Sequence, residues 1–321
     1  MTMTEVPPEA PPVDDVAVGR PRRFWRLRVP EPGVAPRSPA EPLSPATVVV
    51  VWVFLICALL ALWTVLYAMV LSSVQQSGAQ KQLFAQLREE LALGTAPLGG
   101  QIDPGSPVAL LRAPEVGIDK AVVVEGTSSS VMRDGPGHRR DTPLPGQPGV
   151  SVIYGRSVTY GGRFAHLTAL SPGDPITVVT GQGTFTYRVD GVRRTGEPLP
   201  PVLASDASRL TLVTAESSGW ERGWTIESTV YVDASLVGKV APAPSGRPTV
   251  LPDAEQPMGR DLSALFPLVL WLQALVLVVI VIVWARLRWG VWQTWVVGVP
   301  VVVALAWGTT NTAFALLPNL L

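Results

Sequence analysis

The stretch SRLTLVTAESSGW (Ser208–Trp220), with the run STVYVDAS (Ser228–Ser235) that follows it, decides how this sequence folds. In both runs, β-branched and aromatic residues alternate with smaller or polar ones, the two-residue period of a pleated strand with one covered face. They close a series. PVALLRA (107–113), KAVVVEG (120–126), GVSVIYG (149–155), PITVVTG (175–181) and TFTYRVDGV (184–192) precede them, divided by Gly, Pro and Asp. Short strands at this spacing, with no long helical pattern among them, predict an all-β barrel or sandwich over residues 106–238.

Outside that region the chain reads as a membrane protein. Val48–Leu71 carries no charge and would be about 36 Å long as a helix, enough to cross a bilayer. Leu262–Ala285 is also uncharged, and after the basic turn RLRWG (286–290) the sequence stays uncharged to Leu321. We therefore expect transmembrane helices over 46–72, 262–285 and 291–317, with 286–290 as a cytoplasmic turn. Residues 1–45, rich in Pro and Arg, read as a disordered tail, and RPRRFWRLR (Arg20–Arg28) supplies the positive charge expected on the cytoplasmic side. One orientation then satisfies every loop: N-terminus inside, barrel outside. Residues 73–105 read as an external helix and linker, since Leu83, Phe84, Leu87 and Leu91 fall on one helical face between Gln80 and Leu93. Residues 239–261 hold five prolines and no period, the pattern of a linker.

Composition excludes several functions. Acidic and basic residues balance at 25 each, so the bulk charge points to no nucleic-acid partner. Cys57 is the single cysteine and lies in the first apolar run, and His138 and His166 are the two histidines. That inventory assembles neither a disulfide framework nor a metal site, and no cofactor is expected. The apolar spans contain no Asp, Glu, Lys, Arg or His, which argues against an ion or proton pathway. They are expected to anchor the chain or to pack against another membrane protein.

An ordered set of motifs between Pro107 and Leu236 resembles the sortases, the membrane-anchored cysteine transpeptidases of Gram-positive cell surfaces, and is most like the class E type of actinobacteria. The set comprises LLRAPEVGIDKAVVVEGTS, DGPGH (Asp134–His138), PGQPGVSVIYGRSVTYGGRFAHLTALSPGDPITV, FTYRV, RLTLVTA and STVYVDASLV. The resemblance implies a closed β-barrel outside the membrane, held here by three transmembrane α-helices. It also implies a Cys nucleophile, a His that protonates the leaving amine and an Arg that stabilises the carbonyl oxygen. The family's His follows the Gly of SVIYG, where this chain has Arg156. Its Cys closes the TLxTC strand, where this chain has Ala215. Its Arg begins the last strand, where this chain has Thr229.

With all three replaced, the expectation is a pseudoenzyme: a peptide- or protein-binding scaffold at the cell envelope with no catalytic residue. Its partner would be a cell-envelope protein or a sorting-signal-like peptide. Arg156 keeps its charge at physiological pH and can hold a carboxylate, but it cannot shuttle a proton. His138, Ser217, Ser218, Trp220, Arg222 and Trp224 are the further candidate groove contacts. The alternative is an active transpeptidase or hydrolase using Ser217 or Ser218, which needs a general base within hydrogen-bond reach. Neither histidine offers a paired acid in the sequence: His138 reads as a turn residue and His166 as part of a helical stretch.

Overall fold

The computed structural model describes residues 45–216 and 228–321. Helix α1 (Pro45–Leu66) passes through a π-helical turn at Tyr67–Leu71 into α2 (Ser72–Leu93), so that one continuous rod carries the chain from its apolar run to the barrel. The helix expected at Gln80–Leu93 is the far end of this rod. Its inner stripe begins earlier, at Ser72, Gln76 and Gln80, and runs on to Leu87. Those first positions are polar, which hid them from a search for apolar periodicity. Gln80 replaces apolar packing with hydrogen bonds: its side-chain amide donates to the Val122 carbonyl (3.0 Å) and accepts from the Val122 N–H (2.8 Å). Gly94 ends α2 in the left-handed region (φ 68°), which its lack of a Cβ allows without strain.

The barrel has strands β1 (Pro107–Ala113), β2 (Ile118–Glu125), β3 (Gly137–His138), β4 (Gly149–Tyr154), β5 (Pro175–Thr180), β6 (Gly183–Arg194), β7 (Ser208–Glu216) and β8 (Ser228–Val237). They close in the order β1-β2-β3-β4-β7-β8-β6-β5. Seven coincide with the runs read from sequence. The eighth, β3, has two residues, too few to show a period. The pairs β2/β3 and β4/β7 are parallel and the rest antiparallel. A short helix α3 (Ser129–Met132) lies between β2 and β3.

Strand alternation builds two faces. Inward-facing Leu111, Val123, Ile153, Ile176, Val178, Leu210, Leu212 and Val232 form the barrel core. On the outer face, Tyr154, Val213 and Ala215 are also buried, in a second cluster that includes Met132 and Leu320. This is why β7 is covered on both sides. "All-β" therefore describes the barrel domain alone, because the remainder of the described chain is largely helical.

Helices α4 (Leu265–Trp289) and α5 (Val291–Phe314) form a hairpin through Gly290. Both are long and apolar enough to cross a membrane, as is the rod formed by α1 and α2. Polar contacts tie the helices together near the barrel. Trp63 Nε1 donates to Thr310 Oγ1 (2.9 Å), and Asn311 Oδ1 accepts from Tyr67 (3.0 Å), Gln75 (3.3 Å) and the barrel-loop residue Tyr160 (3.2 Å). Asn311 thus joins the helix rod, the hairpin and the barrel at one point.

Candidate functional site

The three positions singled out by sequence meet on the outer face of the barrel wall. Ala215 of β7 lies in register with Thr229 of β8. The parallel β4/β7 ladder continues past Tyr154, with Gly155 N–H donating to the Val213 carbonyl (2.9 Å) and Thr214 Oγ1 donating to the Gly155 carbonyl (3.0 Å). Arg156 therefore emerges beside Ala215. The glycine before it is sterically required, since a Cβ at Gly155 would fall 2.3 Å from the ring of Phe164.

Arg156 is buried, at 3 % exposure. Its Nη2 donates to the carbonyl and the hydroxyl of Ser129 (both 2.8 Å), and its Nη1 donates to Thr159 Oγ1 (3.1 Å) and the Leu321 carbonyl (3.4 Å). The guanidinium also stands 4.9 Å from the centre of the Tyr160 ring, and its Nε has no hydrogen-bond partner. Burial lowers its pKa to about 10, which leaves it charged at neutral pH. Among the described residues, no Asp or Glu side chain pairs with it. Ser129, Thr159, the main-chain oxygen of Leu321 and an aromatic face solvate this cation.

The groove already contains a peptide segment, and it belongs to the same chain. Beyond α5, residues 317–321 turn back onto the barrel. Leu320 is fully buried in the cluster that holds Ala215, Tyr154, Val213 and Met132. The Ser157 N–H donates to the Leu320 carbonyl (3.1 Å), and the Thr159 N–H (3.3 Å) and hydroxyl both donate to the Leu321 carbonyl. Asn319 is also fully buried: its Nδ2 donates to the Thr127 (2.7 Å) and Gln256 (2.9 Å) carbonyls, and its N–H to the Gly259 carbonyl (3.0 Å). The segment is held there as a turn, closed by the Leu321 N–H donating to the Pro318 carbonyl (3.1 Å), with one apolar side chain inserted between main-chain hydrogen bonds. No local pattern announces it. LLPNLL follows an apolar run, and its proximity to Arg156 exists only after the hairpin folds back.

His138 serves as a brace. Nδ1 lies 2.8 Å from Glu125 Oε2 and Nε2 lies 3.0 Å from the Pro143 carbonyl, so both ring nitrogens face acceptors and the ring ties β2, β3 and the following turn together. With both nitrogens engaged it is not placed to act as a general base in the groove. His166 is exposed and borders a cavity on the helix side of the same loop. Ser217, Ser218, Trp220, Arg222 and Trp224 lie outside the described residues. At the edge of that segment, Glu216 takes a two-pronged ion pair from Arg194 (2.7 and 3.0 Å), which holds its carboxyl below the usual carboxylate range.

A barrel of this order, with β4, β7 and β8 meeting at one outer groove, defines a class, and comparison with known proteins gives the same class. The sortase domain family matches residues 111–237. The sortase SrtE1 of Streptomyces coelicolor is 28 % identical over 172 residues, covering 51 % of this chain and 47 % of that protein, so this chain spans about half the length of the curated relative it matches. Among solved structures, sortase E from Streptomyces avermitilis is 27 % identical, with TM-score 0.36 over 43 % of this chain and 91 % of the other. A Clostridium perfringens sortase D5 transpeptidase is 23 % identical, with TM-score 0.41 over 50 % of this chain and 99 % of the other. The barrel, over residues 111–237, is thus a sortase-type domain, and the chain is similar in sequence to sortases of the actinobacterial type.

Proposed function

We propose that this protein is a catalytically silent sortase that acts by binding at the cell envelope, with its N-terminus in the cytoplasm and its barrel outside. The observation that carries the reading is Ala215: a methyl group occupies the position where the family places its thiol, and Leu320 of the same chain packs in the cluster around it. A methyl group can neither attack a carbonyl nor leave, and no acid–base pair is free beside it among the described residues. The donors of Ser157, Thr159 and Arg156 are the groups an incoming peptide would use. A cell-envelope protein or sorting-signal-like peptide would thus bind by displacing residues 319–321, and a carboxylate on it would gain Arg156 as its counter-charge. The transmembrane helices offer a second contact surface, to another membrane protein.

The test is to incubate the full chain with sorting-signal peptides and amine acceptors beside a competent sortase and to read the products by mass spectrometry. No cleaved or transferred product, with the control active, is the expected result. A product abolished by Ser217→Ala or Ser218→Ala would replace this reading with a serine-dependent transpeptidase or hydrolase.

A further inference from the structure

A cavity of about 790 Å³ lies where the helix rod meets the barrel, adjoining the groove along Ser157, Thr159 and Leu321. One wall comes from apolar helices: Val65 and Met69 of the rod and Phe314 of α5. Val65 is 44 % and Met69 74 % exposed, on the segment long and apolar enough to span a membrane, so this wall is continuous with a lipid-facing surface. The opposite wall is polar, with Ser77 of α2 and with Arg163 and His166 of the loop after β4. No Asp or Glu is found among the described residues that line it. The charged side chain fixed on its polar side is that of Arg163.

Arg163 is the unexplained residue of this cavity. Every other arginine of the barrel that is buried to a similar degree has an assigned partner: Arg139 bonds Asp141, Arg140 bonds Glu255, Arg193 bonds Asp233, and Arg209 bonds the Pro201 carbonyl. Arg163 makes no ion pair or hydrogen bond with any described residue, and its Nε is buried without a partner. Burial alone pulls its pKa down. A half-buried guanidinium whose Nε is shut off from water without an acceptor is suited to an anion, and planar two-pronged recognition of a phosphate oxygen pair is what guanidinium does best.

We propose that this cavity binds an anionic phospholipid, with Arg163 on the phosphodiester, Ser77 and His166 as further donors, and an acyl chain along Val65, Met69 and Phe314. The position makes the choice of a lipid over a soluble anion. A free phosphate would fill the polar wall and leave the apolar one wet, whereas a lipid satisfies both and enters directly from the membrane. The catalytic state of the barrel does not enter into this proposal.

The experiment is native mass spectrometry of the full chain in detergent, titrated with phosphatidylglycerol, with diacylglycerol as the phosphate-free analogue and with inorganic phosphate as competitor. One phosphatidylglycerol is expected to be retained by the native chain, diacylglycerol only at background level, and millimolar inorganic phosphate is expected not to displace the lipid. Arg163→Gln should weaken retention roughly tenfold or more, the range for losing a charge-assisted contact. Ala165→Trp, which fills the cavity from an exposed loop position and leaves Arg163 intact, should weaken it as well. Arg188→Gln, at an exposed arginine on the barrel, should match the native chain. Equal retention by Arg163→Gln or Ala165→Trp, equal retention of diacylglycerol, or displacement of the lipid by inorganic phosphate would each overturn the proposal.

Discussion

Leu320→Ala should loosen the segment from the groove by an amount that can be worked out. The side chain is fully buried among Met132, Tyr154, Val213 and Ala215, and truncating a buried Leu to Ala costs about 2–5 kcal/mol, depending on how far the site collapses. Collapse is limited here, because Tyr154 and Val213 belong to paired strands and cannot follow the missing atoms. A middle value of about 3 kcal/mol, at 1.4 kcal/mol per tenfold, corresponds to roughly a hundredfold rise in the undocked population. The reporters are the Ser157 and Thr159 amides, whose acceptors are the Leu320 and Leu321 carbonyls. Hydrogen exchange on the full chain should show both amides exchanging about a hundredfold faster, with the β6/β8 amides unchanged. Exchange at Ser157 and Thr159 within threefold of the native chain would refute the reasoning, because the segment would then not be held by Leu320.

Four further predictions follow from other parts of the molecule. Restoring the family residues with Arg156→His, Ala215→Cys and Thr229→Arg should give no measurable peptide cleavage while the segment is docked, and measurable cleavage once Leu320→Ala is added. Activity in the triple variant alone would show that the segment does not obstruct the groove. Gly155→Ala should lower stability by about 1–3 kcal/mol, since the new Cβ meets the Phe164 ring and forces it to move; a thermal melt reads the loss. Tyr160→Phe keeps the ring over Arg156 but removes the hydroxyl bonded to Asn311, so it should cost about 1 kcal/mol and speed exchange in the loop after β4. Burial raises the Asp134 carboxyl above its ordinary pKa, with Arg133 opposing in part. An acid whose folded pKa exceeds its unfolded value destabilises the fold when ionised, and lowering the pH through that folded pKa relieves the cost. Asp134→Asn should therefore raise the melting temperature at pH 7, with the gain shrinking as the pH falls toward 4. A gain independent of pH would point to a cause other than this carboxyl.

Local pattern determined much of this protein. A two-residue period is a property of consecutive side chains, so seven of the eight strands were legible, and so was the alternation that sends Leu212 inward and Val213 and Ala215 to the outer face. The motif order showed which positions matter, and the registers of β4, β7 and β8 then placed Arg156, Ala215 and Thr229 together. Charge-free length was enough to identify the apolar helices, because crossing a bilayer demands little more.

Contacts between distant parts of the chain left no local trace, and only the tertiary structure decided them. Gln80 is buried because its amide meets the Val122 and Asp134 main-chain groups, which come from elsewhere in the chain, and no hydrophobicity pattern announces such a partner. His138 is a brace because Glu125 lies 2.8 Å away across a parallel strand pair. Residues 318–321 lie just past the expected span 291–317, yet they fill the groove, because Asn311 and the hairpin bring them back to Ser157 and Thr159. Sequence could say that the nucleophile position is a methyl group. What lies against that methyl group depended on how three helices pack on a barrel, and that is set by long-range geometry alone.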